Sequence, residues 1–322
     1  MPALPPELLD TVVYLYPDTD AAIKGERMGG CGCLVVLPTQ TEPYVTGFMY
    51  IVTASHNVKE GQTFVVRVNT RDGGMGIIEN TQPGWTHHKY GDDLSVLSIN
   101  LEYATVKSRG LTPDWFISKE RMEQYKIGPG DETFMVGRFV SHEGKQKNTP
   151  AVRFGNIAMM PHEPVRTRRG LLQECFLVET RSLPGYSGSP VFVHPYPFNY
   201  FKREIVPPMF LGIDMGHLTD SRPVIKKDVW RQGRREKVDE NWIVETNTGM
   251  SCVIPAWKVW ELLHSEELME QRRQVLEEFE KEKAASSVAF DSADDSESPS
   301  PLTQLGFEDF LKRVSRKKSS KT

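Results

Sequence analysis

The sequence has no run of about 18 apolar residues, so it predicts no membrane-spanning helix. It also lacks a basic start followed by an apolar core, and we therefore expect no secretory signal at its beginning. The formal net charge is only -4 at pH 7, which argues against a general nucleic-acid binder. These absences favour a cytoplasmic protein that binds neither membrane nor nucleic acid.

Cysteine is scarce, because the chain of 322 residues contains only 4. Without an export signal, this usage predicts reduced thiols rather than a disulfide framework. Cys31 and Cys33 alternate along one predicted strand and would share a face, but a metal site needs two more ligands at a suitable spacing. The adjacent His87 and His88 do not supply that spacing. We therefore expect no metal site, and no nucleotide or flavin motif predicts a cofactor.

Short apolar segments separated by Gly and Pro breaks fill most of the chain, a pattern typical of β structure. Predicted strands lie at 11–16, 33–37, 47–51, 63–68 and 94–99, and then at 133–140, 152–159, 174–180, 190–194, 210–214, 242–245 and 251–254. The spacing favours two antiparallel barrels. We divide the chain into a first barrel at 1–105, a connector and second barrel at 106–258, a C-terminal helix at 259–283 and a tail at 284–322.

The C-terminal part of the sequence changes character. Apolar residues recur at three- and four-residue steps from residue 256 onward, which predicts a helix. Residues 284–300 are acidic and serine-rich and predict disorder. Within 301–318, four apolar residues at i, i+3, i+4 and i+7 precede a basic end, which predicts a short amphipathic helix.

Two segments are candidate surfaces for a regulatory partner. The helix within 301–318 would dock on a partner or fold back onto its own chain. The insertion at 222–237 is strongly basic, a composition that favours a solvated loop, and the alternative interpretation is a surface that binds an acidic partner or substrate.

Three polar residues, each beside an apolar segment, stand in the order His, Asp, Ser. His56 ends V-T-A-S-H, Asp93 opens D-L-S-V-L, and Ser187 lies within P-G-Y-S-G-S-P-V. A serine hydroxyl is a weak nucleophile unless a base activates it and a third group orients that base. Taken singly, the His can be a packed core residue, and the Asp and Ser can be turn residues. Together they favour a catalytic site.

These segments resemble the T-A-x-H, Asp and G-x-S-G elements of the trypsin-like, chymotrypsin-fold serine peptidases. Segments at 30–35, 128–134 and 251–256 are similar to elements of the HtrA/Deg-like branch of that family, here without a PDZ domain. The resemblance covers about residues 8–264. It implies a mostly β fold of two antiparallel six-stranded β-barrels with the site in the cleft between them, followed by a C-terminal helix and a disordered tail.

The resemblance also implies roles for individual residues. Ser187 would be the nucleophile, His56 the general base, and Asp93, rather than its neighbour Asp92, the residue that orients the base. The amides of Gly185 and Ser187 would form the oxyanion hole. The walls of the substrate-binding pocket would come from Arg181, Ser182, Leu183, Ile213, Asp214, Met215 and Gly216.

The function implied by the resemblance is that of a trypsin-like serine endopeptidase, a hydrolase that cleaves a protein or peptide substrate. A catalytically silent or partner-switched trypsin-fold protein is the alternative. The residue order and the segment around Ser187 do not fit an α/β-hydrolase, which runs Ser, Asp, His.

Two departures from the family pattern bear on the site. Tyr186 stands where the branch activated by cleavage has an Asp, so we expect no activation by cleavage. Asp214 stands where relatives carry a small polar residue. If Asp214 approached Asp93, like-charge repulsion would raise the pKa of one of the two carboxyls.

Overall fold

The structure is a computed structural model that describes residues 4–27, 29–40, 46–59, 65–79, 84–101, 105–139, 144–167, 170–180, 185–194, 198–199, 204–224 and 242–291. Its elements are mostly β-strands, as predicted, arranged in two lobes and followed by helices. No observation tests the predicted domain boundaries, which stay predictions.

The first lobe is an antiparallel sheet of seven strands in the order β5-β4-β1-β2-β3-β7-β6. The strands are β1 (Val12–Tyr16), β2 (Gly30–Gln40), β3 (Thr46–Ala54), β4 (Val65–Asn69), β5 (Met75–Ile78), β6 (Trp85–His87) and β7 (Leu94–Ile99). In the described residues this sheet curls as a half-barrel and does not close, which differs from the expected six-stranded barrel. The short edge strands β5 and β6 were not predicted, because three or four residues give too little alternation to recognise.

The second lobe contains a closed barrel of six strands, as predicted, in the order β12-β17-β16-β13-β8-β9. These strands are β8 (Glu132–Gly137), β9 (Ala151–Met159), β12 (Phe176–Glu179), β13 (Pro190–His194), β16 (Met209–Pro223) and β17 (Ile243–Pro255). Two short hairpins accompany it, one of β10 (Val165–Arg166) and β11 (Leu172–Gln173) and one of β14 (Phe198–Asn199) and β15 (Glu204–Ile205). β17 joins the strands predicted at 242–245 and 251–254 into one, because β16 pairs with it out to Pro223 and Ile243.

The largest group of buried side chains runs through both lobes. It includes Val52 and Leu94 from the first lobe and Phe134 and Phe192 from the second, and the last two rings stack with centroids 5.0 Å apart. Ile51, next to Val52 on β3, belongs instead to a second buried group on the other face of the first sheet. Successive side chains of a strand point to opposite faces, so both faces of β3 are covered. Each fully buried side chain of this size contributes roughly 1.5–3 kcal/mol.

Five α-helices are described: α1 (Thr19–Lys24), α2 (His56–Lys59), α3 (Lys119–Tyr125), α4 (Ala256–Leu263) and α5 (Glu266–Asp291). α3 lies in the predicted connector. The predicted C-terminal helix is present as two helices, and α5 continues to Asp291, into the segment predicted to be disordered. None of the described helices is both long enough and apolar enough to cross a bilayer. Residues 292–322, and with them the predicted amphipathic helix, lie outside the described residues.

Candidate active site

His56 and Asp93 meet at the edge of the first lobe, where β3 ends and β7 begins. Ala54 pairs with Leu94, so the residues just beyond both strands are neighbours. The backbone N–H of His56 donates to Oδ1 of Asp93 over 2.9 Å, and Nδ1 of the imidazole lies 2.5 Å from Oδ2. Asp93 is buried. The carboxylate therefore holds the histidine by both its backbone and its ring.

Ser187 lies on a tight turn that leads into β13 of the second lobe. Gly185 and Gly188, on either side of the serine, have φ values of +91° and +89°, in the left-handed region that favours glycine. A Cβ atom on Gly188 would lie 1.9 Å from the carbonyl oxygen of Cys31, so a side chain does not fit there. Ser187 Oγ lies 2.7 Å from Nε2 of His56 and 3.3 Å from the carbonyl oxygen of Met215. The structure thus brings His56, Asp93 and Ser187 into one chain of contacts.

Two further groups of the first lobe form hydrogen bonds to the serine turn. Nδ2 of Asn57 and the backbone N–H of Cys31 both donate to the carbonyl oxygen of Ser187, over 2.9 Å and 2.8 Å. Thr53 in turn donates its hydroxyl to the carbonyl oxygen of Cys31 over 2.7 Å. Nothing in the sequence pattern pointed to this role for Asn57, since a side chain that bonds to a distant backbone carbonyl leaves no motif.

The turn also contains the two amides predicted to form an oxyanion hole, those of Gly185 and Ser187. Within the described residues neither amide donates to a backbone acceptor, and their role as an oxyanion hole stays a prediction. The side chain of Arg138 is buried next to this turn, and a Cβ atom on Gly185 would lie 3.6 Å from its Nη1. Sequence analysis did not identify Arg138.

Asp214 lies on β16, directly behind the serine turn, and is fully buried. Its backbone N–H donates to Ser189 over 2.9 Å, and its carbonyl accepts from Gly188 over 2.7 Å. Its carboxyl Oδ1 accepts from the hydroxyl of Ser251 and from the backbone N–H of Gly216. Burial raises the pKa of Asp214 from 3.8 to about 6, opposed by these hydrogen bonds and by the charge of His56. The pKa of Asp214 is therefore raised by desolvation, and not by the repulsion from Asp93 that the sequence analysis considered.

The structure covers only part of the predicted substrate-binding pocket. Ile213, Asp214, Met215 and Gly216 lie on β16 beside the serine turn, and Ile213 pairs with Pro190 at the start of β13. Arg181, Ser182 and Leu183 lie outside the described residues, as does most of the basic insertion at 222–237. The pocket assignment stays a prediction.

All four cysteines are buried free thiols. Burial raises the pKa of Cys31 to about 11, and its Sγ lies 3.6 Å from the carbonyl oxygen of Gly185. In the part of the chain that the structure describes, His, Cys, Asp and Glu form no group of three or more that could hold a metal ion.

The architecture defines the class of the fold: a closed six-stranded barrel and a curled antiparallel sheet, with His and Asp on one lobe and Ser on the other, as in trypsin-like proteins. No family model matches the sequence, and no curated protein matches it. The solved structures that are similar to the chain include Deg5 and an HtrA-type protease. Deg5 is 13% identical with a TM-score of 0.38 over 65% of this chain and 80% of its own.

The second similar structure is the HtrA-type protease AlgW with a decapeptide. It is 15% identical with a TM-score of 0.40, and the match covers 76% of this chain and 52% of that one. The chain thus spans about half of AlgW. The expected absence of a PDZ domain stays a prediction.

Proposed function

We propose that this protein is a serine endopeptidase that hydrolyses peptide bonds through an acyl-enzyme. One observation supports this above the others: the unbroken series of contacts from Asp93 to His56 to Ser187, of 2.5 Å and 2.7 Å. Nucleophile, base and orienting carboxylate are within hydrogen-bond reach of one another, which is the geometry that such a mechanism requires.

The reaction proceeds in two halves. Ser187 Oγ attacks the carbonyl carbon of the scissile bond while His56 Nε2 takes the hydroxyl proton, and the amides of Gly185 and Ser187 bind the resulting oxyanion. The imidazolium then gives its proton to the departing amine as the C–N bond breaks. A water molecule, deprotonated by His56, then attacks the acyl carbon, and the imidazolium returns that proton to Ser187 Oγ as the C–Oγ bond breaks, which releases the carboxylic acid. Asp93 stabilises the imidazolium at each stage.

The cost of removing each catalytic group depends on its role in this arrangement. Removing one oxyanion donor costs about 2.7–4 kcal/mol of transition-state stabilisation in enzymes of this kind. Loss of the serine or the histidine removes the nucleophile or its base outright, so either change abolishes acylation.

Covalent labelling by a fluorophosphonate tests the proposal. We expect one adduct on the wild-type protein, detected by intact mass, and none on Ser187→Ala or His56→Ala. Ser98→Ala, on an exposed position of β7, is the matched control and should label like the wild type. A folded wild-type protein that takes no label, alone or with added partner proteins, would instead support a catalytically silent binding module. Labelling only when a partner is present would support the partner-switched alternative.

The proposed substrate is a protein or peptide in the cytoplasm, and we propose no nucleic-acid or membrane ligand. Regulation through 222–237 or 301–318 rests on the charge and periodicity of these segments alone. Deletion of 284–322 tests the second of them: if partner binding, activity and assembly are all unchanged, the tail has no such role.

A further inference from the structure

The adjacent residues Asp92 and Asp93 face different partners. Asp93 faces His56, whereas Oδ1 of Asp92 accepts from Nε2 of Gln173 over 2.8 Å. Oδ2 of Asp92 lies 3.1 Å from Nδ1 of His88 and 3.4 Å from Nζ of Lys258. One carboxylate thus contacts the base, and the other anchors the loop that carries the first.

Gln173 connects this loop to the segment that enters the second lobe. It is the last residue of β11, just before β12 of the barrel, and only 1% of it is exposed. Its Oε1 accepts the backbone N–H of Asp93 over 3.1 Å. Its Nε2 donates to Asp92 and to the carbonyl of Glu174, over 2.8 Å and 3.1 Å. A single buried amide therefore bonds to both members of the Asp pair.

Helix α4 contacts the same loop. Lys258 lies within 3.4 Å of Asp92, 3.7 Å of Glu174 and 3.5 Å of Glu261. The indole N–H of Trp257 donates to Glu174 over 3.0 Å. Since Glu174 directly follows Gln173, the helix holds both the glutamine segment and the Asp92 side chain.

We propose that Gln173 is a positioning residue for Asp93 and His56, with Lys258 making helix α4 part of the same support. The inference rests on the proposed function, because it concerns the reaction of that site. Asp93 can hold the imidazole only if its own backbone is fixed, and Gln173 fixes that backbone from the second half of the chain. A displacement of about 1 Å in such a constellation costs on the order of 100-fold in rate. Loss of the amide also leaves a buried N–H of Asp93 without its partner.

The first test compares Gln173→Leu with the wild type. We expect the rate constant for acylation by a fluorophosphonate to fall about 10- to 100-fold, with little change in the KM for peptides. The rising limb of the pH–rate profile should move to lower pH, because a loosened Asp93 stabilises the imidazolium less. A purely structural role would lower the melting temperature without moving that limb. The matched control is Gln271→Leu, an exposed glutamine on α5, which should leave both rate and profile unchanged.

A rescue experiment covers the case in which Gln173→Leu does not fold. Gln173→Glu places two carboxylates against each other and should reduce acylation. The double variant Asp92→Asn with Gln173→Glu exchanges amide and carboxylate, so that residue 92 donates to residue 173, which still accepts the backbone N–H of Asp93. The bond to the Glu174 carbonyl is lost in the single and the double variant alike, so it does not affect their comparison. We expect the double variant to acylate at least about five-fold faster than the single one, because a hydrogen bond between residues 92 and 173 replaces the repulsion between two carboxylates.

The outcomes separate the two proposals. An unlabelled wild-type protein overturns the proposed function and the role of Gln173 together. A labelled wild type overturns the role of Gln173 alone if Gln173→Leu keeps the wild-type rate and pH profile. Equal acylation rates for Gln173→Glu and the double variant would also overturn the role of Gln173. Lys258→Met should slow acylation to a smaller extent, and no change would remove α4 from the support.

Discussion

Replacing Asp214 by Asn tests the electrostatics behind the serine turn. The carboxyl is fully buried, and burial raises its pKa from 3.8 to about 6. Between these two pH values the folded state binds more protons than the unfolded state, so the free energy of unfolding decreases as the pH rises through this window. Above pH 6 the cost of ionising the buried group is fully present, and below pH 4 it is absent.

The magnitude follows from the same two values. At 1.36 kcal/mol for each pH unit of difference, ionisation of Asp214 costs the wild type roughly 3 kcal/mol above pH 6. Asn keeps an oxygen that can accept from Ser251 and Gly216, and it does not ionise. Its new NH2 group replaces Oδ2, which has no hydrogen-bond partner in the described residues, and burying it costs about 1 kcal/mol or more. The variant should therefore be more stable at pH 7.5 by roughly 1–2 kcal/mol and no more stable at pH 4.

Denaturant unfolding at pH 4, 5, 6 and 7.5 measures this difference for the two proteins. Asp220→Asn is the matched control, since it lies on the same strand with a side chain 47% exposed, and it should show no such pH dependence. If the stability difference between wild type and Asp214→Asn were the same at every pH, burial would not raise the pKa of the Asp214 carboxyl, and the reasoning would be refuted.

Three further substitutions have defined outcomes. Gly188→Ala should destabilise the protein by roughly 3 kcal/mol or more and abolish labelling, because the residue has a positive φ and its Cβ atom would lie 1.9 Å from the carbonyl oxygen of Cys31. Thermal unfolding and fluorophosphonate labelling measure this, and a stable, labelled variant would contradict it. Asn57→Ala removes a donor to the carbonyl of Ser187 and should slow acylation about 10-fold by stopped-flow, while an unchanged rate would show that the Asn57 bond does not position the serine. Arg67→Lys loses the planar fork of a fully buried guanidinium that donates to Asn148, Ala22 and Gly144, and it should cost roughly 2–4 kcal/mol in denaturant unfolding. A change below about 1 kcal/mol would contradict this.

The site was predictable to the extent that its chemistry needs particular side chains beside glycines and at strand ends. His56, Asp93 and Ser187 carry such local patterns, and the structure brings them together. Gln173, Asn57 and Arg138 carry none. A buried amide or guanidinium is recognisable only from what it contacts, and those contacts join residues far apart in the sequence, such as the Asn57 side chain and the Ser187 carbonyl.

The fold shows the same division. Long alternating strands such as β7, at Leu94–Ile99, match the predicted bounds, whereas the edge strands β5 and β6 were missed because they are short. The acidic, serine-rich composition after residue 283 predicted disorder, yet α5 continues to Asp291. The prediction from composition did not take account of the alanines at 284 and 285, which favour a helix and extend one that is already formed upstream.

The division of the site between two lobes has a consequence for how such a molecule can be silenced. Nucleophile and base meet only while the two lobes stay packed on their shared buried side chains and joined by the hydrogen bonds around Ser187 and Asp93. A shift of about 1 Å between the lobes would slow the chemistry on the order of 100-fold while the strand pairing within each lobe stayed intact. Inactivation therefore needs no unfolding, and a binder that wedges the cleft open would act as an inhibitor without touching the reacting atoms.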